Sequence, residues 1–129
     1  MDHVIFAIDN NTDNHVVAKF MRHIDTSWYM GGMRGNMVQC IGNWEGVLEV
    51  SYIMRKEDYI KLVLPFGFTE GQEAVMIAPR DQRQPASIVS YNLVEHMAEL
   101  GPIKTIEPHE ATPDVAWTFN TISGKYFTA

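Results

Sequence analysis

The chain has a single cysteine, Cys40, in 129 residues. That excludes an internal disulfide and a cysteine-rich zinc site. Cys40 lies inside the apolar run Met37–Ile41, where it reads as a small buried hydrophobe and not as a nucleophile, because a thiol inside a strand has no activating base or cation beside it. Long apolar runs are also missing, and nothing approaches the ~20 residues of a membrane span. The opening Met1-Asp2-His3 lacks the basic start of a secretory signal, so a cytoplasmic location is expected. Basic residues are scarce: ten against sixteen acidic ones, a net charge of -6. A phosphate-backbone binder needs a basic face, so neither a nucleic-acid nor a membrane partner is expected. The same balance suits a cationic small molecule. Phosphate-cradling glycine loops, Gly-x-Ser-x-Gly elbows and His-Glu-x-x-His helices are absent, as are repeats and low-complexity tracts.

The composition that remains is that of an ordinary folded domain: 46% apolar, 20% charged and 11% aromatic. A chain of this length hides roughly two-thirds of its unfolded surface on folding, so residues 1–129 are read as one domain that needs no metal to fold. His3–Ile8 is a continuous β-favouring run, expected to be a strand buried on both faces. The polar stretch Asp9–Asn14 is rich in helix caps and leads into Val17, Phe20, Met21, Ile24 and Trp28, whose spacing predicts an amphipathic helix over about 14–28. Gly31, Gly32 and Gly35 follow as a loop.

Met37–Ile41 and Val47–Arg55 read as strands, joined by Gly42–Gly46 as either a turn or a bulged bend. Glu57–Leu64 suggests a short helix with Tyr59, Ile60, Val63 and Leu64 on one stripe, stopped by Pro65 and Gly67. Ala74–Ala78 is a further strand and Arg80–Gln84 a polar loop. Pro85 is placed near the first turn of a second helix carrying Val89, Leu93, Met97 and Leu100, ended by Gly101-Pro102. Ile103–Ile106 and Val115–Phe119 are the last predicted strands. The order predicts an α+β fold, a ferredoxin-like split β-α-β arrangement with two helices over an antiparallel sheet. Its other face, expected to carry Val50, Tyr52 and Met54, would be left uncovered, which predicts association of several copies.

Chemistry-bearing residues concentrate between positions 42 and 73. Trp44, Glu45 and Glu49 sit at the first bend, Tyr59 on the short helix, and Glu70 at a loop–strand junction, where a carboxylate is held without being fully buried. His3, His15, His23, His96 and His109 are scattered; His15 and His23 share a helix face at most, and a solvent-facing pair is favoured over a metal site. Asp9–Asn14 joins a strand to a helix start whose N–H groups are unpaired, so Asn11 and Asp13 are candidates for the carboxylate end of a ligand as well as for capping.

Three features together resemble the bacteriophage S-adenosylmethionine lyases, formerly called hydrolases. They are Gly42-Asn43-Trp44-Glu45-Gly46-Val47-Leu48-Glu49, Tyr59 followed eleven residues later by Glu70, and a closing strand, helix, strand order with His109 in the turn Pro108-His109-Glu110-Ala111. Members of that family usually carry tyrosine where Trp44 stands. The resemblance implies a ferredoxin-like fold, a homotrimer similar to the nitrogen-regulatory PII proteins, and active sites between neighbouring subunits. It implies cleavage of S-adenosylmethionine to 5′-methylthioadenosine and L-homoserine lactone, with no metal or redox cofactor and an anti-restriction role in the host cytoplasm. Tyr59 and Glu70 match the catalytic pair, and Asn11, Asp13, Trp44, Glu49 and His109 are the substrate-binding candidates. The substrate supplies both its electrophile, the carbon beside the sulfonium, and its nucleophile, the α-carboxylate, so a pocket that folds it back needs no general base.

Two other classes compete. A non-catalytic PII-like sensor would bind adenine nucleotides without turnover, but it should carry a long partner-contacting loop, and the candidates at 29–36 and 80–85 are short. A small acidic interaction protein of the DNA-mimic kind would need a denser acidic surface than -6 on 129 residues.

Overall fold

The structure is a computed structural model that describes residues 2–8, 18–24, 37–44 and 46–129. Among these, nine strands form one sheet: β1 His3–Ala7, β2 Val38–Trp44, β3 Val47–Arg55, β4 Val75–Ala78, β5 Pro85–Val89, β6 His96–Pro102, β7 Lys104–Ile106, β8 Trp117–Asn120 and β9 Lys125–Thr128. Their order across the sheet is β6-β5-β4-β1-β3-β2-β8-β9-β7, and every pairing is antiparallel. Residues 18–24 are helical (α1), and a second helical stretch (α2) covers Lys56–Asp58, continues as a wider π turn over Tyr59–Val63 and tightens to a 3-10 turn at Leu64–Phe66. The chain is therefore α+β, an antiparallel sheet with few helices. None of the described helices is long and apolar enough to cross a membrane.

Strand alternation gives the sheet two different faces. Val4, Phe6, Tyr52, Met54, Val75 and Val89 point to one side. There Phe20 and Ile24 of α1 and Tyr59, Leu62 and Val63 of α2 meet them in one core. Phe20 lies at its centre, 5.1 Å ring to ring from both Tyr52 and Phe68 and edge-on to Phe6 at 6.1 Å. The buried pair Phe20 and Ile24 has the i, i+4 spacing read from the sequence. The rest of the predicted helix over 14–28, with Val17 and Trp28, lies outside the described residues.

The stripe predicted on the second helix changes in detail. Tyr59, Leu62 and Val63 are buried but Ile60 is exposed, because the π turn adds a residue to the turn and rotates the face. Pro65 and Gly67 end the helix as expected. Gly67 has φ 75°, a left-handed conformation that favours glycine, and its α-carbon lies against the Glu70 carboxylate.

Three expectations are overturned. Tyr52 and Met54 are not on an open face; both are buried under the helices, and of the three only Val50 is exposed. The register explains why: Phe6 faces Tyr52 and Val4 faces Met54, so these residues share the core side of the sheet. The helix placed from Pro85 to Leu100 is instead the β5–β6 hairpin. Its turn is organised by side chains that offer the backbone an alternative to helical bonding. Ser90 Oγ donates to Asn92 Oδ1 at 2.6 Å, the Glu95 and Val94 N–H groups donate to those two side chains, and Leu93 takes φ 65°. Finally, Val115–Phe119 is shifted to Trp117–Asn120, and a strand not foreseen, β9, folds back on it through a turn at Gly124 with φ 70°.

At the first bend β2 runs on to Trp44, which pairs with Val47; Glu45 lies outside the described residues. The sheet as a whole is strongly curled. β6 and β7 are its two outermost strands, yet only Ile103 separates them in the chain. Two register shifts in β5–β6 place extra residues in β6, the bulge geometry that bends and twists a strand. The face that carries no helix among the described residues thus becomes a concavity, and a Cβ at Gly101 of β6 would sit 3.9 Å from the backbone of Ala129, next to β9.

Replacement of Phe20 by alanine should cost about 3–5 kcal/mol, because three aromatic neighbours lose their common contact. Ile60→Ala, at an exposed position, should stay within about 0.5 kcal/mol of the parent. Urea unfolding of both variants checks the assignment of the buried face.

Candidate functional site

The concavity holds a cavity of about 390 Å³, within the range of small-molecule sites. The register lays out its walls. Ile5 faces Met76, Met76 faces Ile88, and these side chains make an apolar wall on the β1-β4-β5 side. On the other side Ser51 faces Cys40, Glu49 faces Gly42, Gly42 faces Thr118, and Thr118 faces Phe127. Leu100 of β6 and Phe127 of β9 both line the cavity although they stand near opposite ends of the strand order. The curl brings them together.

The cavity has one sign of charge. Glu49 and Glu73 line it, together with Gln72 and Trp44, and among the described residues no lysine, arginine or histidine does. Glu49 is half-buried and Glu73 exposed, so both belong to the mouth. Trp44 is 57% exposed at the end of β2, where an aromatic face beside a cation adds roughly 0.5–2 kcal/mol of attraction. Several other polar groups of the wall are already engaged. The Asn43 amide donates to the carbonyls of Pro113 and Val115 at 3.2 and 2.7 Å, and Thr128 Oγ1 donates to the Ala116 carbonyl at 2.6 Å. Ser51 differs: it is 8% exposed and its Oγ has no hydrogen-bond partner among the described residues.

The sequence-predicted residues divide into three groups. Trp44 and Glu49 line the cavity together. Tyr59, Glu70 and His109 do not. Tyr59 is fully buried on the helix side, its ring 5.1 Å from Phe6. Its hydroxyl donates to the Tyr91 carbonyl at 2.6 Å and lies 2.9 Å from Thr69 Oγ1. Burial raises its pKa, partly offset by the Thr69 hydrogen bond. Glu70 is exposed on the turn that starts at Gly67, three residues before Glu73 at the cavity mouth. Tyr59 therefore holds Thr69, the residue beside Glu70, and does not itself reach solvent. His109 is exposed in the 3-10 turn Pro108–Glu110, which is closed by reciprocal bonds between Glu107 and Glu110. Asn11 and Asp13 lie outside the described residues.

His23 is half-buried, with Nε2 2.8 Å from the Leu62 carbonyl oxygen, and its ring is stacked 4.2 Å from Phe66. That is a packing position and not a solvent-facing one, while His15 lies outside the described residues. Among the described residues no three His, Cys, Asp or Glu side chains gather as a metal site would require.

Ser51, Gln72 and Glu73 were missed by sequence reading. Ser51 had a signal: it is two residues from Glu49 on an alternating strand and so must share its face. Glu73 had none, because the pairing of β4 with β1 and of β1 with β3 carries the 70–74 loop to the end of the sheet where Glu49 stands. Comparison with known protein families and with characterised proteins returns no match for this chain.

Cys40 sits fully buried across from Ser51, and burial pushes its thiol up to about 11 from an ordinary 9.0. The folded state therefore keeps a proton that the unfolded chain releases between these values. Stability should be independent of this group below about pH 8 and should fall by up to ~2–3 kcal/mol as pH rises from 9 to 11. Thermal melts of the parent and of Cys40→Ala across that range check the sign, since the alanine variant lacks this part of the alkaline loss. Native Cys40 should also resist a thiol reagent at pH 8 and react only on unfolding.

Proposed function

We propose that the protein is an S-adenosylmethionine lyase and that the cavity receives its substrate. The observation that carries the reading is the cavity's charge: two carboxylates and an indole at the mouth, apolar walls, and no basic side chain among the described residues lining it. A sulfonium and an α-ammonium are attracted to such a mouth. The triphosphate of an adenine nucleotide is repelled by it, which favours the lyase over the PII-like nucleotide sensor.

The fold supports the same reading. The inner strands β4-β1-β3-β2 are antiparallel, with helical residues between β1 and β2 and between β3 and β4. That is the strand order of a ferredoxin-like split β-α-β unit, with α2 as its second helix and β5–β9 added at the two edges. The proposed assembly is a PII-like homotrimer. Trp44 and Val47 are exposed on the cavity side of the β2–β3 hairpin, whose end borders the mouth, and Ile41, Leu48 and Val50 are exposed on its other side. A neighbouring copy against Trp44 and Val47 would close the mouth and exclude water.

In the proposed reaction the substrate α-carboxylate oxygen attacks the methionyl Cγ. The Cγ–S bond breaks, and its electron pair neutralises the sulfonium. The products are L-homoserine lactone and 5′-methylthioadenosine. Because nucleophile and electrophile belong to one molecule, the protein's task is to fold the chain back and hold it. Glu49 and Glu73 would hold the ammonium, and Trp44 would face the sulfonium. Glu70 would act from the same loop as Glu73, completed by the neighbouring subunit, with Tyr59 positioning it through Thr69.

Incubation of purified protein with adenosylmethionine should yield methylthioadenosine and homoserine lactone, separated by chromatography. Homoserine from the start without lactone would indicate attack by water, and no turnover would overturn the lyase. Glu70→Gln should lower the rate about 30- to 1000-fold without loss of folding. Tyr59→Phe leaves Thr69 and the Tyr91 carbonyl short of a partner. It should lower both turnover and stability, the latter by about 1–3 kcal/mol. Parent-like rates in both variants would remove the pair from the site.

Light scattering of dilute protein should give about three times the chain mass of 14.7 kDa. A monomer at micromolar concentration would overturn the trimer.

A further inference from the structure

Ser51 is the one buried side-chain polar atom without a partner among the described residues. Leaving a buried hydroxyl unpaired costs about 1–3 kcal/mol, and the sequence offers an obvious relief, since the neighbouring strand could have supplied an acceptor. It supplies Gly42. A Cβ at position 42 would lie 3.7 Å from Ser51 Oγ, 3.9 Å from the Glu49 carbonyl oxygen and 3.9 Å from the Trp117 carbonyl oxygen. Glycine is not required there by its backbone, and an alanine would make ordinary contacts. What glycine provides is open space directly over the orphan hydroxyl.

We infer that Ser51 Oγ and the space over Gly42 form the specificity contact for the neutral, flat end of the ligand, a purine nucleoside. The identity of that ligand rests on the lyase reading above. The polarity along β3 sets the orientation. Glu49, two residues toward the mouth, is half-buried and charged, whereas Ser51 is deep and neutral. Ile5, Met76 and Ile88 lie on the wall across from them. A cation belongs at the carboxylates, and a heteroaromatic edge that can donate or accept a hydrogen bond belongs at the hydroxyl, its faces against apolar side chains. The ligand thus enters base first and leaves its charged end at the subunit boundary, where Glu73 and the 70–74 loop stand.

The test uses 5′-methylthioadenosine, which carries the base but no charge, in titration calorimetry with the full-length protein, alongside adenosylmethionine. Ser51→Ala should weaken methylthioadenosine binding about five- to thirtyfold. It should leave the melting temperature unchanged or raised, because it removes an unpaired polar group; a merely structural serine would not give that combination. Gly42→Ala should fold and should weaken methylthioadenosine at least tenfold by filling the space over the hydroxyl. Glu49→Gln should weaken adenosylmethionine far more than methylthioadenosine. Parent-like affinity for methylthioadenosine in both Ser51→Ala and Gly42→Ala overturns the inference, even if the parent turns over adenosylmethionine. Methylthioadenosine binding that depends on Ser51, in a protein with no turnover, supports the inference while the lyase reading fails.

Discussion

One connection constrains the whole molecule. β6 and β7 stand at opposite ends of a nine-stranded order, and a single residue, Ile103, joins them. A flat sheet of that width cannot satisfy the connection, so the sheet must curl until its ends meet. Extra residues in β6 supply the local bend. From that curl follow the cavity, the meeting of Leu100 with Phe127, and the approach of β6 to the residue after β9. Remove the connection and what remains is an open sheet with helices on one face.

The two faces then take different roles. The convex side is closed by aromatic packing: Phe6, Phe20, Tyr52, Tyr59 and Phe68 touch one another around α1 and α2. Tyr59 ties that core to the loop that ends at the cavity mouth, since its hydroxyl bonds both Thr69 and the Tyr91 carbonyl. The concave side carries few large side chains in its centre, where Ala7, Gly42 and Ser51 lie in neighbouring strands. Small residues there leave volume, and the carboxylates sit only at the rim. A packed core supports one face, while the described residues of the other surround an acidic-mouthed cavity.

In the proposed reaction one residue would act without touching the substrate. Tyr59 is that residue in the proposal. Its burial and its raised pKa keep it neutral and fixed, which suits positioning and not proton transfer at neutral pH. Glu70 is the converse: it is exposed and gains a dry environment only if a second copy covers it.

The sequence alone determined the elements whose pattern is local. The β1 run, the alternation of β3, the Phe20–Ile24 spacing of α1, the stop at Pro65 and Gly67, and the acidic balance all depend on neighbours within a few positions. Trp44 and Glu49 were legible as a bend cluster for the same reason. What only the tertiary structure decided depends on distant partners. The stretch from Pro85 to Leu100 has apolar residues at helical spacing, yet pairing with β4 and the Ser90–Asn92 turn outweigh that local preference and make a hairpin. Tyr52 and Met54 read as one face of a strand from either side; the register with Phe6 and Val4 chose the buried side. Glu73 became a mouth residue through the pairing of β4 with β1 and of β1 with β3, and Ser51 lines a cavity whose far wall, Leu100 and Phe127, comes from strands near opposite ends of the order, because a cavity is a property of the whole surface and of no segment that forms it.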